Sequence, residues 1–347
     1  MKLILTLLFL LPLILLAQNP KKYIITKTNE SIIIDGSDNE KAWQNAVFTD
    51  CFVDIEGNKK PNPYLSTRLK MLWNDSCLFF FAELEEPHIW ANLTERESVI
   101  FYDNDFEIFI DPDGDTHNYI EFEINAFGTE WDLVLPKPYR NNGPPLTAFN
   151  ITGINSAVKI FGSINNPDDK DEKWTVEIAM PWNSLLETKQ KSRRIPVDGE
   201  IWRINFSRVQ WETEVINGKY LKKKDPKTGR NLPENNWVWS PQGRIDMHMP
   251  EKWGYVMFSD SIINKETRRD FEIQDTAVIN EIWELYYKQK LYYMKNQAYT
   301  KELEISENTE IIVGKQQFEI IIKIPGTNRY YYLNQDGWFR KEILEKR

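Results

Sequence analysis

Glu107, Glu121 and Glu123 stand at alternate positions in Phe106-Glu107-Ile108-Phe109-Ile110 and Ile120-Glu121-Phe122-Glu123-Ile124. Successive side chains of a strand point to opposite faces, so these carboxylates lie opposite the apolar stripes Phe106/Ile108/Ile110 and Ile120/Phe122/Ile124. Carboxylates accept hydrogen bonds from hydroxyls, and aromatic faces cover the C–H side of a pyranose. A solvated sheet face produces the same alternation without any ligand. The ring platforms that go with a site are Trp90, Trp131, Trp211 and His248, near loops or strand ends. Trp43, Trp73, Trp174, Trp182 and Trp202 fall inside regular segments and read as core. The same acids, with Glu177, also supply pairs for glycoside hydrolysis, which needs two carboxyl groups roughly 5–9 Å apart.

A second acidic group, Asp111, Asp113 and Asp115, alternates within the turn Asp111-Pro112-Asp113-Gly114-Asp115. That spacing can wrap oxygen ligands around calcium, although the distal Glu of an EF-hand is missing; an acidic turn is the other reading. His88, His117 and His248 are too scattered in sequence to suggest a metal centre.

These residues need strands to position them, and period-2 alternation dominates from Tyr23 to Phe258. Beyond the two segments above, Trp174, Val176, Ile178 and Met180 alternate with Thr175, Glu177 and Ala179. Further strands are expected at 31–34, 47–55, 67–73, 77–85, 130–135, 157–164, 200–211, 237–240 and 255–258. Asn74-Asp75-Ser76 and Phe127-Gly128-Thr129 supply turns. Only 39–45 and 182–187 read as helical there. The expected fold is all-β, an antiparallel, jelly-roll-like β-sandwich over residues 22–260. After Asp260 the pattern changes. Val278, Ile282, Leu285, Tyr286 and Tyr293 recur at helical spacing, then two strands follow at 318–324 and 330–333. Residues 275–347 therefore read as a small α+β appendage behind a linker at 261–274.

The chain has 347 residues, 41% of them hydrophobic, and a net charge of -9. Such an acidic protein is a poor non-specific binder of nucleic acid. Lys222-Lys223-Lys224 reads as a solvated loop. Aromatic residues make up 13% of the chain, so stacking is a live mode of recognition. Residues 1–17 read as a signal peptide, with an uncleaved anchor as the alternative, and nothing downstream is long and apolar enough to span a bilayer. Export permits a Cys51–Cys77 disulfide, worth about 3 kcal/mol for a loop of this length; two separate thiols are the alternative.

Several segments together resemble family 9 carbohydrate-binding modules. They are Ile34-Asp35-Gly36 with Trp43, Leu72-Trp73-Asn74-Asp75 leading into Leu78-Phe79-Phe80-Phe81, and Asn104-Asp105-Phe106-Glu107-Ile108-Phe109-Ile110-Asp111. Next come Phe122-Glu123-Ile124-Asn125 with Gly128, and Trp174-Thr175-Val176-Glu177-Ile178-Ala179-Met180-Pro181-Trp182. Gly199 with Asn205, Trp239-Ser240-Pro241 and Trp253-Gly254 complete the set. The resemblance spans about residues 22–258 and implies sugar binding rather than bond cleavage, often with structural calcium. It implies one ring platform at Phe101, where members carry Trp, and polar contacts at Glu107, Glu121 and Glu123. Glu123 replaces an Arg, which reverses a charge. The family's second Trp belongs to a loop that here carries Met247-His248-Met249.

The function these readings favour is an exported, non-catalytic protein that binds a polysaccharide or oligosaccharide beside glycan-degrading enzymes. A glycoside hydrolase is one alternative. The other is a surface assembly protein capturing a partner chain through residues 275–347. Removing residues 261–347 is expected to spare sugar binding.

Overall fold

The computed structural model describes residues 19–190, 192–261 and 270–343. The leader at 1–17, most of the 261–274 linker and the last residues of the appendage lie outside them. The chain is mostly β, with one large curled sheet and few helices.

Most of the alternating segments become strands, although of 47–55 only Val53–Asp54 does. In chain order the first half contains β1 (Lys22–Lys27), α1 (Lys41–Asn45), β2 (Val53–Asp54), β3 (Thr67–Trp73), β4 (Cys77–Glu85), β5 (Asp105–Asp111), β6 (Tyr119–Asn125), β7 (Glu130–Leu135) and β8 (Asn155–Phe161). The second half contains β9 (Lys173–Pro181), α2 (Trp182–Leu185), β10 (Ile201–Gln210), β11 (Thr213–Ile216), β12 (Lys219–Lys222), β13 (Asn235–Val238) and β14 (Gly254–Ser259). The main path of the sheet runs β7-β6-β5-β10-β14-β1-β3-β4-β9-β8, with β13 branching from β10 and β2 from β13.

The sheet curls back on itself. Phe80 of β4 and Phe206 of β10 are far apart along this path, yet their ring centroids are 5.7 Å apart across the core. Phe106, Ile108, Ile110, Ile120, Phe122 and Ile124 face the same core and are fully buried. Burying each such side chain stabilises the fold by about 1.5–3 kcal/mol. The five tryptophans assigned to core from sequence are all buried. Because the apolar stripes of β5 and β6 face inward, their alternate residues emerge on the sheet's outer surface.

The seam of the sheet is β1, which pairs in parallel with both β14 and β3. The ladder is therefore not wholly antiparallel. The strand expected at 31–34 is irregular instead. Ile32 and Ile34 pack against the cluster around Trp43, Phe79 and Phe81, while Ile33 is exposed. Gly36 follows in a left-handed conformation, where a Cβ would stand 2.9 Å from the Lys159 Cβ. Only glycine fits that approach. Cys51 and Cys77 are free thiols, Cys51 lying exposed beside Ser66 at 3.4 Å.

At the C-terminal end α3 (Thr276–Asn296) packs on an antiparallel sheet of β15 (Thr309–Val313), β16 (Phe318–Lys323), β17 (Arg329–Asn334) and β18 (Phe339–Ile343). Ile282, Trp283, Leu285 and Tyr286 meet Phe318, Ile320, Ile322 and Leu333 in a core of their own. Polar contacts tie this unit to the large sheet. Thr116 Oγ1 donates to the Gly337 carbonyl, Trp338 Nε1 to Asp115 Oδ2 at 3.1 Å, and Tyr286 Oη to Asn141 Oδ1 at 2.9 Å. Among the described residues no helix is long and apolar enough to cross a membrane.

Candidate functional site

The strand register assembles the acids. Glu107 lies opposite Glu123, Phe109 opposite Glu121 and Asp105 opposite Asn125 across β5 and β6. On the other flank Ser207 of β10 lies opposite Glu107. Directly opposed residues share a face, so Asp105, Glu107, Glu121, Glu123 and Ser207 occupy one patch of the outer surface. Asp105, Glu107 and Glu123 each offer a carboxylate oxygen within 4.8 Å of the other two. All four acids are buried, none more than 6% exposed.

Burial dominates their protonation. It raises the Glu107 carboxyl to about 7, opposed by the neighbouring Ser207 hydroxyl and reinforced by Glu234. Burial and then the Glu107 charge push Asp105 and Glu121 well above the usual carboxylate range. Glu123 moves the same way, through burial, Glu107 and Asp105. A charge without water or a cation is costly, so burial biases the row toward its protonated forms. A neutral carboxyl both donates and accepts hydrogen bonds, which suits hydroxyl ligands.

Aromatic residues flank the row on both sides. On one side Trp131 lies opposite Glu123, next to Phe109, Tyr119, Leu133 and Trp253. His248 closes this side, its Nδ1 3.0 Å from Tyr119 Oη and its ring 4.4 Å from that of Tyr139. Burial and the Arg140 charge depress the His248 imidazole to about 3, so it is neutral at pH 7. Tyr139 is 44% exposed, and burial, then Glu121 and Glu123, raise its phenol to about 12.

On the other side the Phe101 amide donates to Glu123 Oε2 at 3.0 Å, and the Phe101 carbonyl accepts from Trp211 Nε1 at 2.9 Å. Phe101 is half-buried with Tyr102 against its ring at 4.7 Å. Trp90 and Trp211 are buried beneath it and serve as supports rather than platforms. Lys222, expected in a solvated loop, instead ends β12 with its Nζ 3.4 Å from the centre of the Trp211 ring. Burial lowers its pKa. Beneath these rings Glu86 accepts from Arg208, Gln210 and Asn104, and Asn104 Oδ1 in turn accepts from the Trp211 amide.

Four of the expected site residues thus converge on the carboxylate patch, namely Phe101, Glu107, Glu121 and Glu123, with Trp131 and His248 on its border. Glu177 does not join them. Its carboxylate accepts from the Asp35 and Gly36 amides and from Trp43 Nε1, fixing the Ile34-Asp35-Gly36 turn to β9. The Asp111, Asp113 and Asp115 carboxylates are engaged by protein N–H groups. Asp111 accepts from Gly114 and Thr116, Asp113 from Gln190, and Asp115 from His117 and Trp338. His88 bonds Tyr220, and His117 packs beside Trp338.

Sequence reasoning missed Asp105, Ser207 and Tyr139. Asp105 was within reach, since it continues the alternation of Glu107 by one step. Ser207 and Tyr139 depend on pairing and loop placement, which no local pattern records.

Residues 34–205 match the model of the family described as "Carbohydrate family 9 binding domain-like". Among solved structures, similarity extends to a family 9 carbohydrate-binding module from Caldicellulosiruptor kristjanssonii in complex with glucose. The identity is 15%, covering 73% of this chain and 100% of that one, with a TM-score of 0.44. A second structure from that organism, in complex with cellotriose, gives 14% identity, the same coverages and a TM-score of 0.43. No curated protein matches the chain.

Proposed function

Residues 34–205 belong to the carbohydrate family 9 binding domain-like family, and from that premise we propose that the protein is an exported, non-catalytic carbohydrate-binding protein. Its role is accessory to the degradation or uptake of a polysaccharide, in the periplasm, at the cell surface or outside the cell. One observation carries the reading. The family segment includes β5 and β6, whose outer face presents hydroxyl-matching carboxyls between partly exposed rings. A sugar would stack on Phe101 or Tyr139 and place hydroxyls over Glu107 and Glu121. The α+β unit remains available to a protein partner.

A glycan array followed by calorimetric titration tests the proposal. Saturable binding of at least one oligosaccharide, weakened by Phe101→Ala, is expected; no binding across the array overturns it. Hydrolysis is a second reading, favoured by the approach of Glu107 to Glu123 and by the carboxyl held near 7. Retaining glycosidases use two carboxyl groups about 5 Å apart. Glu123 speaks against it, being 1% exposed and held by the Phe101 amide, because both carboxyl groups must reach the scissile bond. Turnover of a glycoside panel, lost in Glu107→Gln, would establish it.

A further inference from the structure

Four buried carboxyl groups on one patch have two ways to avoid mutual repulsion, protons or a cation. Among the described residues none of the four forms an ion pair with Lys or Arg. One independent feature of the patch lies beyond its acids. The Ser207 hydroxyl, 1% exposed and opposite Glu107, makes no hydrogen bond of normal geometry. It is an uncharged oxygen aimed at the cluster and left over by the fold, whereas buried polar atoms are ordinarily satisfied. Asp105 Oδ2 and Glu121 Oε2 are likewise buried and unpartnered, although Asp105 Oδ1 accepts from the Val209 amide at 3.1 Å.

We propose that Asp105, Glu107 and Glu123 bind a calcium-class divalent cation on the outer face of β5 and β6, with Ser207 Oγ and Glu121 within the same oxygen shell. The donor chemistry selects the ion. All donors are oxygen, with no His or Cys in the group, which excludes a zinc preference. Oxygens on a calcium ion lie at 2.3–2.6 Å, so two of them are separated by up to about 5 Å. The three carboxylates already meet within 4.8 Å. Magnesium, at about 2.0–2.1 Å with strict octahedral geometry, would require them to close further. The site is distinct from the Asp111–Asp115 turn, whose acids are engaged by N–H donors. A cation here would offset part of the patch's negative charge and present its remaining coordination positions outward, toward Phe101 and Tyr139.

The proposal stands whether or not a sugar binds, and its test contains no sugar. The full chain is stripped with EDTA, dialysed and titrated with terbium, read as luminescence excited through tryptophan, then back-titrated with calcium chloride. Saturable emission, displacement by calcium and a raised Tm on calcium addition are expected. Asp105→Asn and Glu107→Gln should each weaken terbium binding at least tenfold, whereas Asp113→Asn should retain it. Circular dichroism identifies any variant that does not fold, and Glu123→Gln then takes its place. Absence of saturable emission in the wild-type protein overturns the proposal. So does binding lost in Asp113→Asn but kept in Glu107→Gln.

Discussion

The Phe101 amide donates to Glu123 Oε2 at 3.0 Å, so a ring bordering the carboxylate row is tied to that row by its own backbone. Glu123 therefore fixes where Phe101 stands, while the Phe101 ring is free to stack. Phe101→Ala should lower sugar affinity about tenfold, equivalent to roughly 1.4 kcal/mol, and leave the fold intact. Calorimetry against a glycan bound by the wild type, beside a thermal melt, separates the two effects. An unchanged affinity would place the ligand elsewhere.

Glu121 makes the opposite trade. Its carboxyl is buried, repelled by Glu107 and left with an unpartnered oxygen. Replacing it with glutamine supplies a neutral side chain at nearly constant volume, without the cost of burying a carboxylate or of taking up a proton on folding. Binding sites often hold such locally unfavourable groups, and relieving one commonly stabilises by about 0.5–2 kcal/mol. Glu121→Gln should raise Tm at pH 7 in metal-free buffer and weaken ligand binding. A lowered Tm there would contradict the account of the row given above.

Two histidines set an acid limb. Burial holds His117 at about 4 and His248 at about 3, against an ordinary 6.5. A base depressed in the folded state contributes stability above its unfolded pKa and loses it as pH falls toward the folded value. The raised carboxyls act in the reverse sense, gaining stability on acidification, so wild-type Tm alone mixes the two. A His117→Gln variant isolates one contribution. Its Tm should gain on wild type as pH drops from 6.5 to 4, by up to roughly 3 kcal/mol of stability. Parallel curves for the two proteins would rule out a buried neutral His117.

Legibility from sequence followed the range of the interactions. β3, β4 and β7 carry alternating stripes bounded by turns, and they begin and end where the pattern says. The carboxylate row was legible for the same reason, because alternation alone assigns Glu107, Glu121 and Glu123 to faces. What the pattern lacked was burial: an outward face reads as solvated until loops cover it. Trp90 and Trp211 show the converse. Their place near strand ends suggested open rings, but Tyr220 of β12 packs with them and Lys222 occupies the Trp211 face. β1 was misplaced because Ile32 and Ile34 look like strand residues, whereas parallel pairing with β14 and β3 is set by segments far away in the chain.

The longest-range consequence concerns the α+β unit, which sequence treated as separable from sugar binding. Tyr139 begins a single turn of 3₁₀ helix that also contains Arg140 and Asn141. Asn141 is 3% exposed, accepts from Tyr286 Oη of α3 at 2.9 Å and donates to the Asp336 carbonyl. Arg140 donates to the His248 carbonyl at 2.7 Å and to Glu251 at 2.8 Å, and Tyr287 Oη of α3 donates to that same Glu251. One face of α3 therefore positions both Tyr139 and His248, which border the carboxylate row. The neutral Tyr286–Asn141 bond is worth about 0.5–1.5 kcal/mol and the Tyr287 bond to the Glu251 carboxylate about 1.5–3 kcal/mol, enough to alter how the turn is populated without unfolding the core. The full-length double variant Tyr286→Phe/Tyr287→Phe should thus keep a cooperative melt but bind sugar several-fold more weakly. Tyr286→Phe alone should fall between it and wild type. Equal affinities in all three would restore the view that the C-terminal unit is independent of the site.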